Sequence, residues 1–248
     1  MKTDVTIPTP DGDSRAFVFT PDAGAGPWPT AILYMDAPAI RPAMFEMGER
    51  LAQAGYYVLL PDVFWRAGPY PPLDIVKARG GDPEQVALFQ KLRASTDASR
   101  QMADTKVYLD WLSTQPQARA DRVGVTGYCM GGGIALRAAG TFPDRIAVAA
   151  SFHGGNLATD EDNSIHKLAP KMKARILVAG ADEDRSFDEA QCERLDAALK
   201  DARLDAKVSI WKGMKHGWVP TDMPVHDAAG AERHWTELVA LFDEVLKD

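Results

Sequence analysis

Apolar residues in this chain gather into short unbroken runs that alternate with stretches of helical spacing. Residues 30–35, 56–60, 146–152 and 175–179 are runs of strand length with few polar positions. That is the pattern of strands covered on both faces. Between the first two, Met44, Met47, Leu51 and Ala54 recur at helical spacing over 43–54, and Gly55 supplies a stop. Strand, helix and strand with short joints predict a βαβ unit, and successive units imply a parallel sheet with right-handed crossovers. Upstream, residues 3–8 and 15–20 flank Pro10-Asp11-Gly12-Asp13, which predicts a hairpin. Downstream, Ala98, Met102, Thr105, Leu109 and Leu112 mark one face of a helix. Next come a strand at 122–126, a helix at 131–139, a helix at 190–199 and a last strand at 207–211. A final helix at 228–246 carries Ala231, Trp235, Leu238, Phe242 and Leu246 on one stripe. The fold class is therefore α/β, a mostly parallel central sheet with helices on both faces, in one domain spanning 1–248.

One segment breaks the rhythm. Residues 63–96 contain the aromatic, proline-rich run Phe64-Trp65-Arg66-Ala67-Gly68-Pro69-Tyr70-Pro71-Pro72, and Gly80-Gly81-Asp82-Pro83 interrupts the remainder of the segment. Periodicity predicts no regular element there, and so long an excursion reads as functional, with its aromatics forming a pocket wall.

Composition narrows the function. With 46% apolar and 25% charged residues, the chain can bury a sizeable core. A net charge of −7 without any cluster of Lys or Arg gives no electrostatic footing for nucleic acid, and an acidic substrate would need a local basic pocket. The first residues lack the apolar run of a secretion signal, and no stretch is long enough to span a membrane. The expected location is the cytoplasm, where free thiols persist. The two cysteines, Cys129 and Cys192, make neither a disulfide framework nor a zinc site. Neither a P-loop nor a complete dinucleotide fingerprint is present, so no cofactor is expected.

The chemistry centres on Gly127-Tyr128-Cys129-Met130-Gly131-Gly132-Gly133, between the strand at 122–126 and the helix at 131–139. A buried strand that breaks on glycine, presents one cysteine on a sharp turn and passes into an Ala-rich helix predicts a nucleophile elbow, with Cys129 where serine is commoner. A thiolate is a far better nucleophile than a hydroxyl, and a helix N-terminus favours negative charge. A cysteine set between glycines for packing alone is the competing reading. A partner histidine should stand on a loop after a late strand, and His216 in Gly213-Met214-Lys215-His216-Gly217 has that setting. His153, at the end of the run 146–152, is expected to line the site. His166, His226 and His234 look like solvated or helix-face residues. The acid that orients the histidine should come after an intervening strand. Asp182, Glu183 and Asp184 crowd that turn, and each also fits a solvated turn acid or a helix cap.

These motifs resemble the dienelactone hydrolase family of α/β-hydrolases. The resemblance extends over nearly the whole chain, through Gly127-Tyr128-Cys129-Met130-Gly131-Gly132, Ala54-Gly55-Tyr56, Pro61-Asp62, the acidic turn after Val178, and Lys215-His216-Gly217. It implies an α/β-hydrolase fold and a Cys-His-Asp triad of Cys129, His216 and one acid of the turn. The family's spacing back from an apolar position, here Phe187, selects Asp184, with Asp182 as the alternate. It further implies an oxyanion hole from the backbone amides of Ala37 and Met130. Asp36 stands where the family has an acid that meets the cysteine thiol, although the best-known members carry glutamate. Asp36 is accordingly expected to modulate the thiol, and a carboxylate beside a thiol opposes its ionisation. Members that hold a substrate carboxylate do so with arginines, one soon after the catalytic histidine. Here Gly217-Trp218-Val219-Pro220-Thr221 has none. Arg66, Arg79 and Arg93 are candidate substitutes that read equally as surface charges.

The expected function is hydrolysis of a small-molecule ester or lactone through an acyl-enzyme, without cofactor, nucleic acid or membrane. The alternative is a ligand-binding or redox-sensing module that uses Cys129 as a reactive thiol without turnover. The oligomeric state is not legible in the chain.

Overall fold

The structure is a computed structural model that describes residues 1–247. Eight strands form one sheet in the order β1-β2-β4-β3-β5-β6-β7-β8. They are β1 (Lys2–Thr9), β2 (Gly12–Phe19), β3 (Trp28–Tyr34), β4 (Tyr57–Pro61), β5 (Ala118–Tyr128), β6 (Ile146–Phe152), β7 (Arg175–Ala181) and β8 (Ala206–Trp211). The β1–β2 hairpin and the β2–β4 pair are antiparallel; every pairing from β4 through β8 is parallel. The central strands are the unbroken apolar runs: Ile32, Val58, Leu59, Val125, Val148 and Val178 are all fully buried. They bury on both faces because helices cover both.

Among the described residues six α-helices lie between the strands, α1 (Pro42–Gln53), α2 (Ile75–Arg79), α3 (Pro83–Ala94), α4 (Ala98–Leu112), α5 (Met130–Thr141) and α6 (Glu189–Asp201), and a seventh, α7 (Ala228–Leu246), follows β8. Alternation along β5 assigns the faces. Gly124 and Tyr128 point at α7, where an added Cβ on Gly124 would strike Leu246 and Phe242 and where the Tyr128 hydroxyl meets His234. Gly127 points the other way, at the first turn of α5. The stripe of α7 buries Ala231, His234, Trp235, Leu238, Phe242 and Leu246. On the opposite face, α4 is pinned by Tyr34 Oη to Thr105 Oγ1 and by Ser14 Oγ to Tyr108 Oη, each 2.8 Å. Buried hydroxyls paired in this way cost little of the burial energy around them.

Two expectations are corrected. Residues 63–96 hold α2 and α3, not an irregular excursion. Asp74 caps α2 by accepting from the amides of Val76 and Lys77; Asp82 caps α3 by accepting from Gln85, with Pro83 at its first position. The Gly80-Gly81-Asp82-Pro83 run is the joint between these helices. Their periodicity is faint because α3 buries only Leu92. His234 is the other correction: it is fully buried, because α7 turns it inward between Tyr128, Phe152 and Trp235.

Candidate active site

The site forms at the carboxyl ends of β3, β5 and β7 and in the loop after β8, where the parallel strands deliver their connecting turns to one edge of the sheet. Cys129 is the residue between β5 and α5, with φ 54° and ψ −116°. A non-glycine residue in that region is strained and persists only when its surroundings over-determine it. Two observations supply the constraint. A Cβ on Gly127 would overlap the carbonyl of Gly131, and one on Gly131 would overlap the carbonyl oxygens of Tyr34 and Met35, so glycine alone lets β5, α5 and β3 approach this closely. The amide of Cys129 donates at 3.1 Å both to the carbonyl of Phe152 and to Nδ1 of His153.

His153 thus sits beneath the turn and does not line the cavity. It is fully buried, and burial, reinforced by the neighbouring His216, holds it well below the ordinary histidine range. The neutral ring accepts at Nδ1 and carries its proton on Nε2. Sequence reading missed this acceptor role, since nothing in Ser151-Phe152-His153-Gly154 shows which way the ring turns. His234, behind it, pairs Nε2 with the Tyr128 hydroxyl at 2.8 Å, and burial pushes it down to about 3.

His216 lies on the loop after β8, and its Nδ1 donates to Oδ2 of Asp184 at 2.6 Å. The other oxygen of Asp184 accepts from the amide and hydroxyl of Ser186 at 2.9 and 2.7 Å. Burial works against the Asp184 charge, yet the bonds from His216 and Ser186 keep the carboxyl below its ordinary range. Burial likewise disfavours a charged His216, but Asp184 and the sulfur of Cys129 outweigh it and raise the imidazole to about 10. Asp182, the alternate acid, meets Lys212 and the amide of Gly213 instead.

Ala37 and Met130 flank Cys129 in the same cavity. Among the described residues neither backbone amide donates to another protein group, which leaves both for an oxygen bound there. Asp36 is buried, and its carboxylate is taken by Arg41, whose Nη1 and Nη2 donate to Oδ1 and Oδ2 at 2.5 and 2.9 Å. Arg41 also holds Asp222 at 2.6 and 3.1 Å, tying the turn after β3 to the loop that carries His216. Burial pushes the Asp36 carboxyl above its ordinary range, and Arg41 offsets that only in part.

Cys129, Ala37, Met130, Asp184 and His216 share a cavity of about 680 Å³. A neighbouring volume of about 610 Å³, also bordered by Ala37 and Cys129, is walled by Ile75, Ala78, Val86 and Phe89 of α2 and α3. Arg79 and Arg93 border both volumes, whereas Arg66 is tied to Asp11 and Asp104 away from them. Two further arginines, Arg137 and Arg185, line the larger volume. Arg137 had a signal in the chain, a charge inside the otherwise apolar run Ile134-Ala135-Leu136-Arg137-Ala138-Ala139. Among the described residues no group of His, Cys, Asp and Glu is placed to hold a metal, and no helix is long and apolar enough to cross a membrane.

A mostly parallel eight-stranded sheet with an antiparallel start, and a strained residue on the turn from its central strand into a helix, defines the α/β-hydrolase fold. Within that class, residues 14–246 match the model of the dienelactone hydrolase family, and the chain belongs to that family. A candidate carboxymethylenebutenolidase of Synechocystis sp. is 24% identical, covering 98% of this chain and 96% of that one. Its counterpart in Escherichia coli K12 is 25% identical, over 96% of this chain and 85% of that one. The crystal structure of a candidate dienelactone hydrolase from Klebsiella pneumoniae superposes with a TM-score of 0.84 at 21% identity, covering 98% of each chain.

Proposed function

We propose that this chain hydrolyses esters or lactones with Cys129 as nucleophile. The observation that carries the reading is the 2.6 Å His216–Asp184 pair in the same cavity as a cysteine on a strained strand-to-helix turn. The names of the Synechocystis and Escherichia coli relatives support a lactone among the substrates. The sulfur attacks the carbonyl carbon, and the amides of Ala37 and Met130 stabilise the oxyanion of the tetrahedral intermediate. His216, charged at neutral pH by Asp184 and the sulfur, gives its proton to the departing alkoxide as the acyl-enzyme forms. The neutral imidazole then takes a proton from water, the hydroxide attacks the thioester, and the acid product leaves with His216 charged again. Asp184 keeps Nδ1 protonated throughout, so that Nε2 does the transfer.

Turnover of p-nitrophenyl acetate by purified protein tests this. Cys129→Ala should abolish it with the circular dichroism spectrum unchanged, and turnover persisting in that variant would remove the thiol from the mechanism. Covalent labelling without steady-state turnover would favour a sensing module instead.

A further inference from the structure

Helices α2 and α3 each turn one face to an open volume. On α2, Ile75, Ala78 and Arg79 stand at the spacing of one helical face, and on α3 Val86, Phe89 and Arg93 do the same; all six border the volume of about 610 Å³ beside Cys129. Ile75 and Ala78 are buried and Val86 and Phe89 half-buried, whereas Arg79 and Arg93 are exposed. The Arg93 guanidinium lies over the Phe89 ring, 5.9 Å from its centroid. The wall is therefore apolar, and its charges stand at the edge it shares with the larger volume. A concave apolar wall of this size suits an apolar ligand.

Continuity with the site says which part of a ligand enters. The carbon attacked by Cys129 carries four groups in the tetrahedral intermediate: the sulfur, the oxyanion, the leaving oxygen and the acyl substituent. The leaving oxygen takes its proton from His216, and His216, Asp184 and Met130 border only the larger volume. The leaving group must therefore extend into the larger, more charged space. Ala37 and Cys129 border both volumes, so the carbonyl sits at their junction and the remaining substituent points at the wall of α2 and α3.

We propose that the volume walled by Ile75, Ala78, Val86 and Phe89 is an acyl pocket, and that the preferred substrate is an ester whose acyl half is an apolar chain. The acyl assignment rests on the hydrolase reading above; the apolar binding volume itself does not.

Two isomeric esters test the assignment. Ethyl hexanoate and hexyl acetate have the same composition, but the first carries its chain on the acyl side and the second on the leaving side. At about fourfold per buried methylene, kcat/KM for ethyl hexanoate should exceed that for hexyl acetate by roughly tenfold or more. Val86→Trp, which fills the volume, and Phe89→Gln, which makes its wall polar, should each collapse that ratio. Val76→Gln, on α2 but 53% exposed and outside the volume, should preserve it. A ratio near one, a preference for hexyl acetate, or a ratio untouched by both Val86→Trp and Phe89→Gln overturns the acyl pocket. Calorimetric titration with amides tests the volume without turnover: hexanamide should bind roughly tenfold or more tightly than propanamide, and Val86→Trp should remove the difference. Equal binding of the two amides overturns the apolar volume. The expected amide pattern with no turnover of either ester would overturn the hydrolase reading, and the acyl assignment with it, while leaving the apolar volume standing.

Discussion

Removing Arg41 tests whether Asp36 serves as one end of a buried clamp. Asp36 is 2% exposed and the Arg41 side chain 11%, so Arg41→Met strips a buried carboxylate of both its short bonds and replaces them with an apolar stem. Breaking one side of such a pair typically costs about 3–5 kcal/mol, because the remaining charge is desolvated and uncompensated. In a chain of this size that lowers the melting temperature by roughly 6–20 °C. The other partner, Asp222, is 41% exposed and returns to water at little cost. The pH dependence carries the sign. Burial already holds the parent's Asp36 carboxyl above its ordinary range despite Arg41, and removing Arg41 raises it further above its unfolded value near 3.9. The folded state then binds the proton more tightly than the unfolded one, so the penalty is absent in acid and grows as pH rises through the folded value. Thermal unfolding at pH 4.5 and 7.5 should therefore show a smaller deficit at the lower pH. Adding Asp36→Asn should recover much of the loss at pH 7.5, since no buried charge remains. A single variant within about 2 °C of the parent, or a double variant as unstable as the single at pH 7.5, would refute the clamp.

Three further outcomes rest on the same geometry. Gly127→Ala places a methyl into the carbonyl of Gly131 and should yield insoluble or non-native protein by near-ultraviolet dichroism; a soluble variant with the parent melting temperature would contradict the close approach of β5 and α5. The pH profile of kcat/KM should fall as pH rises through about 10, where His216 loses its proton, and Asp184→Asn should move that limb to lower pH by removing the carboxylate that holds the charge; an unmoved limb would detach it from His216. Stability should decline as pH falls below about 6.5, because unfolded imidazoles take protons that buried His153 and His234 refuse, and His234→Phe should flatten that decline while losing about 1 kcal/mol at pH 7.5 with the Tyr128 bond. An unchanged slope would show that His234 is not the buried neutral group described.

Strands buried on both faces and helices with a wide apolar stripe announce themselves in composition, which is why the order of elements from β3 to α7 was legible apart from α2 and α3. So was the turn at Cys129, because only glycine permits the approach of β5 to α5 and the glycines are visible in the chain. What stayed hidden depends on side-chain direction. Asp36 has a place in the chain but no visible partner, and Arg41 and Asp222, 5 and 186 residues away, meet it only after folding. Asp184 and Asp182 are two residues apart and chemically alike, yet one turns to His216 and the other to Lys212. His234 occupies a helix whose apolar stripe could have flagged it, since it lies between Ala231 and Leu238 on the buried face. The helices α2 and α3 wall a cavity, not the core, and so carry little of the periodicity that core packing imposes.

The central claim is that Cys129 becomes acylated during turnover. Acid-quenching the protein with a slowly hydrolysed activated ester, followed by peptide mass spectrometry, should find the acyl group on the peptide that holds Cys129, appearing and decaying at rates that account for steady-state turnover. An acyl group on another residue, or steady-state turnover with no acyl group at Cys129 on the catalytic timescale, would contradict it.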